Sequence, residues 1–476
     1  MIKAKIIPAI ALFPVILASC GLFPDFNLKE PDEFDTLEEG FFYAQYMTDN
    51  ARNMPHSGFY KVKAKMLYDK GAKCEIWAEI GSGVTEEDAK SIASEYDTKI
   101  RPMIIETFNN KLYDGQDILD YANGLAGRND GKLTILLLNI QDGYKVRNDP
   151  YVAGYFYSGN FQRKGKINDS NYSNGRDMIY VDTYPGLKEQ SIQAYTTFAH
   201  ELQHLVNYVT RYQSRRGFMD VWVNEGLSAY AEHLYLGGHP KDKCSWLSDS
   251  RNTIKTGNNF FVWNNYRSRP LAILDDYATV YLFFRWLYLQ AADTELQSRI
   301  FREIAYSDYS DYRAVTSVAA QINPAWGDWE TLLRTWFIAN YYPGNNVYGY
   351  KGDSYLWDAV KVTPVSGKTI PLFPGEGVYS IINGPYSTTV SGTNIRYAEI
   401  ADRTGVVNGL LTFNANTNNS TTTGSETGSL TGVSAAVSAS RTAAENAQPV
   451  EQTRPYVIDA GDILGWDQER LNHLPR

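Results

Sequence analysis

The sequence has 476 residues, of which 43% are hydrophobic and 21% are charged, and its formal net charge at pH 7 is −9. This length and apolar content predict a folded chain of two or three domains and exclude a fibrous or wholly disordered protein. Acidic and basic side chains are interspersed, without the basic surface that nucleic acid binding requires, so we expect no nucleic acid partner.

The first residues have the pattern of an export signal. Lys3 and Lys5 precede an apolar run over 6–17, which ends in small residues before Cys20. The run is too short to span a bilayer comfortably, so we interpret 1–19 as a signal peptide and not as a transmembrane helix. Its end, Leu-Ala-Ser-Cys, resembles the lipobox of bacterial lipoproteins. That resemblance implies an acylated Cys20 and a lipid anchor in the bacterial cell envelope, at the outer membrane or the cell surface.

Two further cysteines, Cys74 and Cys244, lie far apart in the sequence. Export permits a disulfide between them, but sequence separation says nothing about how closely their Cα atoms approach. A disulfide and two free buried thiols are both compatible with the sequence.

The N-terminal half has the mixed pattern of an α/β structure. An acidic segment at 20–55 lacks periodicity and is interpreted as a tether. Beyond it, short apolar runs bounded by Gly, Asn or Asp predict strands. These runs are Lys73–Ile80, Leu133–Ile140, Val152–Tyr157 and Met178–Asp182. Thr85, with Asp88 three residues later, predicts the start of a long helix between the first two strands. We therefore predict a mixed α/β subdomain over 56–210.

From about residue 190 the apolar spacing becomes helical and stays so over five segments. They are Gln193–Tyr208, Val221–Tyr235, Tyr277–Ala292, Thr294–Tyr306 and Trp326–Ala339. The pattern predicts a mainly α-helical subdomain over 211–345 and then a small β module over 346–415. A Ser/Thr-rich linker or loop over 416–450 precedes a C-terminal segment at 451–476.

The stretch AHELQHLVNY at 199–208 places two of the six histidines four residues apart on a predicted helix. Side chains at this spacing lie on the same helix face, so His200 and His204 can converge on one metal ion. A catalytic zinc needs a third protein ligand and an open position for water. Glu225 and Glu232 share one face of the next predicted helix. Either can supply the third ligand while the other orients an imidazole.

The HELQH motif at 200–204, followed by NEG at 224–226, resembles the gluzincin metallopeptidases, in which HExxH precedes a glutamate at a similar spacing. Within that group the chain is most similar to the hyicolysin family of secreted bacterial metallopeptidases, through MIYVDTYP, VNEGLSAYAE and DDYATVYLFFRWL. The resemblance implies one zinc ion per chain held by His200, His204 and Glu225. It also implies an α+β fold, in which the active-site helix belongs to the α/β subdomain.

The sequence departs from this group at two places. The thermolysin branch carries an aspartate four residues after the ligand glutamate, where this chain has Ala229. The orienting role therefore passes to Glu232, and Asn224, beside the ligand, is the second supporting residue. The aminopeptidase branch carries a Gly-x-Met-Glu-Asn loop that captures the amino terminus of the substrate, and this sequence has no such string. The second departure favours an endopeptidase.

The motif also assigns the groups that move protons and stabilise charge. Glu201, next to a ligand but not itself a ligand, is predicted to be the general base. By resemblance to aminopeptidase-type gluzincins, Tyr277 is the expected hydrogen-bond donor to the developing oxyanion. Tyr281, one helical turn later, is the competing candidate.

Two further expectations concern the surroundings of the site. His233 and His239 follow the second predicted helix and are expected at the surface, with no role as metal ligands. The strand Met178–Asp182 is either an edge along which an extended peptide could pair or an ordinary core strand.

The leading interpretation is a lipid-anchored zinc endopeptidase of the bacterial envelope that acts on a peptide or protein substrate. One alternative is a non-catalytic surface lipoprotein, an adhesin or scaffold on a gluzincin fold, and another is an exopeptidase. The presence of the base and all three ligands favours the enzyme, because pseudoenzymes commonly lose one of these groups. No pattern in the sequence indicates an oligomeric state.

Overall fold

The computed structural model describes residues 39–47, 58–145, 150–168, 171–189, 191–240, 243, 272–292, 294–344 and 347–361, and the backbone of four short strands after them. The strands are β1 (Glu39–Gln45), β2 (Phe59–Tyr68), β3 (Cys74–Glu79), β4 (Leu133–Leu138), β5 (Pro150–Phe156), β6 (Gly165–Lys166), β7 (Tyr172–Ser173), β8 (Met178–Asp182), β9 (Tyr379–Ile381), β10 (Ala398–Ala401), β11 (Gly432–Ala435) and β12 (Tyr456–Asp459). The helices are α1 (Glu86–Glu95), α2 (Arg101–Phe108), α3 (Ile118–Leu125), α4 (Ser191–Gln213), α5 (Val221–Leu236), α6 (Ala272–Gln290), α7 (Ile300–Ala305), α8 (Tyr312–Ile322), α9 (Trp329–Tyr341) and α10 (Ser354–Ala359). Helices and a mixed sheet together make the fold α+β.

A seven-stranded sheet in the order β1-β2-β3-β4-β8-β5-β12 forms the framework. Strands β3, β4 and β8 run parallel, whereas β1, β2 and β3 are joined antiparallel. On the other side, β5 is antiparallel to β8 and parallel to β12. All residues of β4 and β8 are buried, as their uninterrupted apolar runs require of central parallel strands.

Of the two alternatives for Met178–Asp182, the edge strand is wrong and the core strand is observed. This segment is β8, and it pairs with β4 on one side and with β5 on the other. Its backbone groups are therefore committed to the ladder, and a peptide cannot add to it without separating two strands. A continuous apolar run such as MIYVD is typical of an interior strand, because an edge strand usually carries charged residues that discourage pairing.

Some elements differ from the predicted segments. The predicted tether contains β1, in which Phe42 is buried and its neighbour Phe41 is 52% exposed, an alternation that acidic flanking residues conceal. Residues 346–415 contain α10 as well as β9 and β10, and β11 lies within 416–450, where it pairs with both of those strands. The signal segment, Cys20 and Cys244 lie outside the described residues. Within the described residues, Cys74 is a buried free thiol.

The predicted helix start at Thr85 is confirmed. The Thr85 hydroxyl accepts a hydrogen bond from the backbone N–H of Asp88, and the Asp88 carboxylate accepts one from the N–H of Thr85. This reciprocal capping satisfies two donors that the first helical turn leaves unpaired. After α1 the chain makes one wider turn over Tyr96–Ile100 and continues as α2, where Pro102 occupies the first turn and needs no amide donor.

Helix α4 has 23 residues, most of which are buried. It packs against β5 and β8 on one side and against α5 on the other, and α5 packs in turn against α6. Nearly every residue from Ala194 to Arg211 is buried, so the polar side chains on this helix must find partners inside the protein. This position between sheet and helices explains why the polar HELQH sequence can serve a buried site.

Among the helices that the structure describes, none combines the length and apolarity needed to cross a bilayer.

Candidate metal centre

The two motif histidines converge at one point on α4. His200 and His204 are each 5% exposed, and their Nε2 atoms are 3.1 Å apart. Two imidazole nitrogens at this separation face the same small volume, as their four-residue spacing predicts. The two imidazoles supply two of the three protein ligands that a catalytic zinc site needs, so a third donor is required.

Helix α5 supplies that donor through Glu225. Its Oε2 lies 3.2 Å from Nε2 of His200, and its Oε1 lies 3.4 Å from Nε2 of His204. One ligand atom from each of the three residues lies within 4.8 Å of the others. Residues 21 positions apart in sequence thus meet because α5 returns alongside α4 after the turn at 214–220.

The residues present fit a zinc ion. Glu225 is fully buried, and within the described chain neither of its carboxylate oxygens accepts a hydrogen bond. A buried carboxylate in that situation is costly unless a cation compensates its charge. Two imidazole nitrogens and one carboxylate oxygen are also the donor set that catalytic zinc sites use.

Glu232 holds His200 from the opposite side of the imidazole ring. Its Oε1 lies 2.6 Å from Nδ1 of His200, and both of its oxygens lie 2.6 Å from Nζ of Lys243. Burial raises the pKa of Glu232, but the Lys243 ammonium and the His200 contact outweigh burial and hold the pKa below its ordinary value. The ionised carboxylate accepts the Nδ1–H of His200, which leaves the Nε2 lone pair directed at the ligand cluster.

Ser228 plays the corresponding part for His204. Its hydroxyl oxygen lies 3.0 Å from Nδ1 of His204, and its proton is donated to Oε1 of Gln203. With the hydroxyl proton used in this way, Oγ accepts the Nδ1–H of His204, and the Nε2 lone pair stays available. Sequence reasoning missed Ser228, although its position three residues after Glu225 places it on the same face of α5.

Asn224 is expected from the sequence to support a metal ligand, but its side chain contacts Asn207 on α4 instead. The side-chain amide of Asn207 on α4 donates a hydrogen bond to Oδ1 of Asn224. The pair ties the first turn of α5 to α4, three residues beyond His204. Asn224 therefore fixes the distance between the two helices that carry the ligands, and the orienting contacts come from Glu232 and Ser228.

Glu201 lies against the backbone of the sheet. It is 1% exposed, and a Cβ atom built on Gly154 in β5 would lie 3.4 Å from Cγ of Glu201 and 2.6 Å from Cγ2 of Thr197. Only a residue without a side chain permits β5 to approach α4 this closely. Gly154 therefore lets the strand form one wall of the site beside Glu201.

The two candidate tyrosines on α6 point to different partners. The Tyr277 ring lies beside the His200 ring, with centroids 6.4 Å apart, and the Lys243 ammonium is 5.8 Å from its centroid. The Tyr281 hydroxyl instead lies between two histidine rings outside the ligand cluster. Helix α6 can pack this close to α5 because residue 226 is a glycine. A Cβ atom at this position would lie only 2.3 Å from the ring of Phe284.

His233 and His239 are not surface residues, so that expectation is wrong. Their Nδ1 atoms lie 3.0 and 2.6 Å from the Tyr281 hydroxyl, and Nε2 of His239 lies 3.0 Å from Oδ1 of Asp353. Arg285 donates to the other oxygen of Asp353 at 2.9 Å. The residues that bury these histidines come from distant parts of the chain, which sequence position could not indicate.

Comparison with known proteins agrees with this chemistry. No protein-family model matches the chain. Over 261 residues it is 29% identical to the neutral metalloprotease ShpI of Staphylococcus hyicus. The aligned part is 53% of this chain and 52% of that protein, so the chain spans about half the length of the curated relative it matches. The chain is thus similar to a metalloprotease over about half of its length.

Proposed function

We propose that this chain is a zinc-dependent endopeptidase that binds one zinc ion. The observation that carries the proposal is the convergence of donor atoms from His200, His204 and Glu225 within 4.8 Å, in a buried place. The similarity to a neutral metalloprotease over half the chain supports the same reaction class.

His200 and His204 would hold the ion through Nε2, and Glu225 would hold it through a carboxylate oxygen. When bound, zinc would supply Lewis-acid chemistry, which polarises the carbonyl of a substrate and makes a water molecule more acidic. The Nδ1–H of each imidazole is directed to a neighbouring acceptor, Oε1 of Glu232 or Oγ of Ser228. Both rings are thereby held in the tautomer that a ligand needs.

Glu201 is the proposed general base. It follows His200 in the sequence, so it leaves α4 about 100° around the helix from the ligand and cannot share the ligand's direction. It would take the proton from the attacking water and then deliver it to the leaving amine. The wall at Gly154 would limit the conformations available to its side chain.

Tyr277 is the proposed donor to the developing oxyanion. Its ring lies beside the His200 ring, on the first turns of α6. A hydroxyl directed at the reacting carbonyl would strengthen its hydrogen bond as negative charge forms on that oxygen. We favour Tyr277 over Tyr281 because the Tyr281 hydroxyl is engaged by His233 and His239.

The proposed substrate is a peptide or protein chain that passes through the site. Support comes from the sequence, which has no Gly-x-Met-Glu-Asn string for capturing a free amino terminus. An internally quenched peptide blocked at both ends is therefore the appropriate probe.

Substitution of Glu201 by Gln tests the reaction. The Glu201→Gln variant should keep its zinc, since Glu201 is not a ligand, and lose about 10²–10⁴-fold in kcat. Glu189→Gln, which makes the same change at an exposed position, is the matched control and should cleave like the unaltered protein. Glu225→Gln should instead lower the bound zinc, and a chelator should abolish cleavage by the unaltered protein.

The same assay separates the alternatives. Cleavage only of peptides with free amino termini would indicate an exopeptidase. A zinc-loaded protein that cuts nothing in a broad peptide library would indicate the non-catalytic surface lipoprotein. Equal activity of Glu201→Gln and unaltered protein would contradict the assignment of the base.

We also propose that the protein is anchored in the bacterial envelope through an acylated Cys20. The basic, apolar and small-residue pattern of 1–20 supports the anchor. Cys20→Ser should release the protein from isolated membranes or block its processing, because acyl chains supply the membrane affinity. A mature amino terminus at an unmodified residue other than Cys20 would contradict the proposal.

A further inference from the structure

Lys243 is a buried cation behind the metal centre, and no motif in the sequence points to it. It is 5% exposed, and its Nζ lies 2.6 Å from both oxygens of Glu232. Lysine is rarely buried unless its charge is paired. Here both donor contacts converge on one carboxylate that is itself 3% exposed.

The carboxylate that Lys243 holds is the one that contacts a ligand. Oε1 of Glu232 lies 2.6 Å from Nδ1 of His200, and Nε2 of His200 faces Glu225 at 3.2 Å. Lys243, Glu232 and His200 thus form a continuous buried chain from an ammonium to a ligand nitrogen. A carboxylate gripped at both oxygens has little rotational freedom, so its direction towards Nδ1 is fixed.

Charge balance gives an independent reason for a cation at this place. Three buried carboxylates, Glu201, Glu225 and Glu232, surround the site, and each is at most 3% exposed. A zinc dication compensates two of these charges and leaves the third. An uncompensated buried charge is strongly destabilising, and the Lys243 ammonium removes that imbalance.

We infer that Lys243 is a positioning residue of the metal centre, which locks the Glu232 carboxylate against Nδ1 of His200 and so raises the affinity for zinc. The inference rests on the proposed zinc site and assigns no contact between Lys243 and the substrate. The ammonium also faces the Tyr277 ring at 5.8 Å, so the same side chain borders the proposed oxyanion donor.

The test is the zinc affinity of the full-length protein, measured by competition with a chelating dye. Lys243→Met keeps the length of the aliphatic chain and removes the charge, so zinc should bind about 10–100-fold more weakly. Lys243→Arg, which can grip both carboxylate oxygens, should recover most of the affinity. Lys63→Met is the matched control. It breaks a Lys–Glu pair at 2.6 Å on the exposed face of β2 and should leave the affinity unchanged.

A double-mutant cycle shows whether Lys243 acts through Glu232. In the Glu232→Gln background, Lys243→Met should weaken zinc binding by no more than about twofold, because the carboxylate it positions is already gone. An equal effect in both backgrounds would overturn the inference. So would unchanged zinc affinity in Lys243→Met.

Two further measurements separate this role from simple packing. The thermal unfolding temperature of the metal-free protein should change little in Lys243→Met. A large fall in this temperature at unchanged zinc affinity would show that Lys243 contributes only to packing. If Lys243→Met does not fold, Lys243→Gln keeps a donor without charge and should still bind zinc more weakly. Absence of zinc binding in the unaltered protein would remove the proposed function as well, whereas unchanged affinity in the Lys243 variants removes this inference alone.

Discussion

The hydroxyl of Tyr281 lies 2.6 Å from Nδ1 of His239 and 3.0 Å from Nδ1 of His233, outside the ligand cluster. These contacts distinguish two tyrosines that are one turn apart on α6. Tyr281 serves packing between α5, α6 and the segment around Asp353, whereas Tyr277 faces the His200 ring.

We therefore predict opposite profiles for the two tyrosine variants. Tyr277→Phe should lower kcat by about 10–1,000-fold at unchanged zinc content, because the oxyanion loses a donor. Tyr281→Phe should lower the free energy of unfolding by about 1–3 kcal/mol, because buried histidine nitrogens lose their partner, and should affect kcat much less. Kinetics on a blocked peptide and urea unfolding check the pair. A larger loss of kcat in Tyr281→Phe would reverse the assignment.

The burial of His233 should make stability depend on pH. Burial, together with the Arg285 guanidinium and His239, lowers the pKa of His233 to about 3. The unfolded chain takes up a proton on this residue below about pH 6.5, whereas the folded protein keeps it neutral. The contribution of His233 to stability is thus complete above about pH 6.5 and is lost as the pH falls towards 3.

The corresponding prediction uses the metal-free protein, so that zinc ligands bound to metal do not contribute. Between about pH 7 and about pH 5, the unfolding free energy of the unaltered protein should fall by about 2 kcal/mol more than that of His233→Gln, which cannot titrate. Urea unfolding at both pH values gives the difference. Parallel pH dependence of the two proteins would show that His233 is not held neutral.

Arg211 should be a major source of stability near the turn between α4 and α5. Arg211 is 2% exposed, and its guanidinium donates to the carbonyls of Gly217, Ser307 and Tyr309 and to the Ser310 hydroxyl. Arg211→Met should lower the free energy of unfolding by about 3 kcal/mol or more, because a buried guanidinium that donates to four acceptors is removed. In Arg313→Met, the lost pair with Asp311 is half exposed and should be worth less than about 1 kcal/mol. Equal losses in urea unfolding would contradict the role of Arg211.

Gly154 should tolerate no side chain. A Cβ there would lie 2.6 Å from Cγ2 of Thr197 and 2.7 Å from the carbonyl oxygen of Tyr180, so Gly154→Ala must push β5 and α4 apart. We expect a loss of about 1–3 kcal/mol in stability and of about 10–100-fold in kcat, since Glu201 moves with α4. Adding Thr197→Ser, which removes Cγ2, should recover part of both losses. If the double variant recovers neither stability nor kcat, the steric clash is with the Tyr180 carbonyl oxygen alone.

The ligand helices could be predicted because their information is local. The spacing of His200 and His204, the apolar periodicity around them and the return of Glu225 on the next helix are all readable along one stretch. The same holds for the Thr85 cap, where donor and acceptor are three residues apart. Periodicity also predicts that α4 and α5 exist, with ends only a few residues from those observed.

What could not be predicted depends on residues that meet only after folding. Lys243 comes from a stretch without helical or strand periodicity, and only tertiary structure brings it to Glu232. His239 contacts Asp353, more than a hundred positions later in the chain. The MIYVD run is typical of an interior strand, but it cannot specify that β5 pairs beside β8 in the opposite direction.

The contact between Gly226 and Phe284 gives the residue after the ligand glutamate a role of its own. The ring of Phe284 occupies the space that any side chain at 226 would need. The separation of α5 and α6 therefore depends on the absence of a Cβ atom at residue 226. Since α6 carries Tyr277, the same clearance determines how near the Tyr277 ring comes to the His200 ring. Glu225 thus supplies a metal ligand, while the adjacent Gly226 sets the distance between α5 and α6. A larger residue at 226 would require a smaller residue at 284.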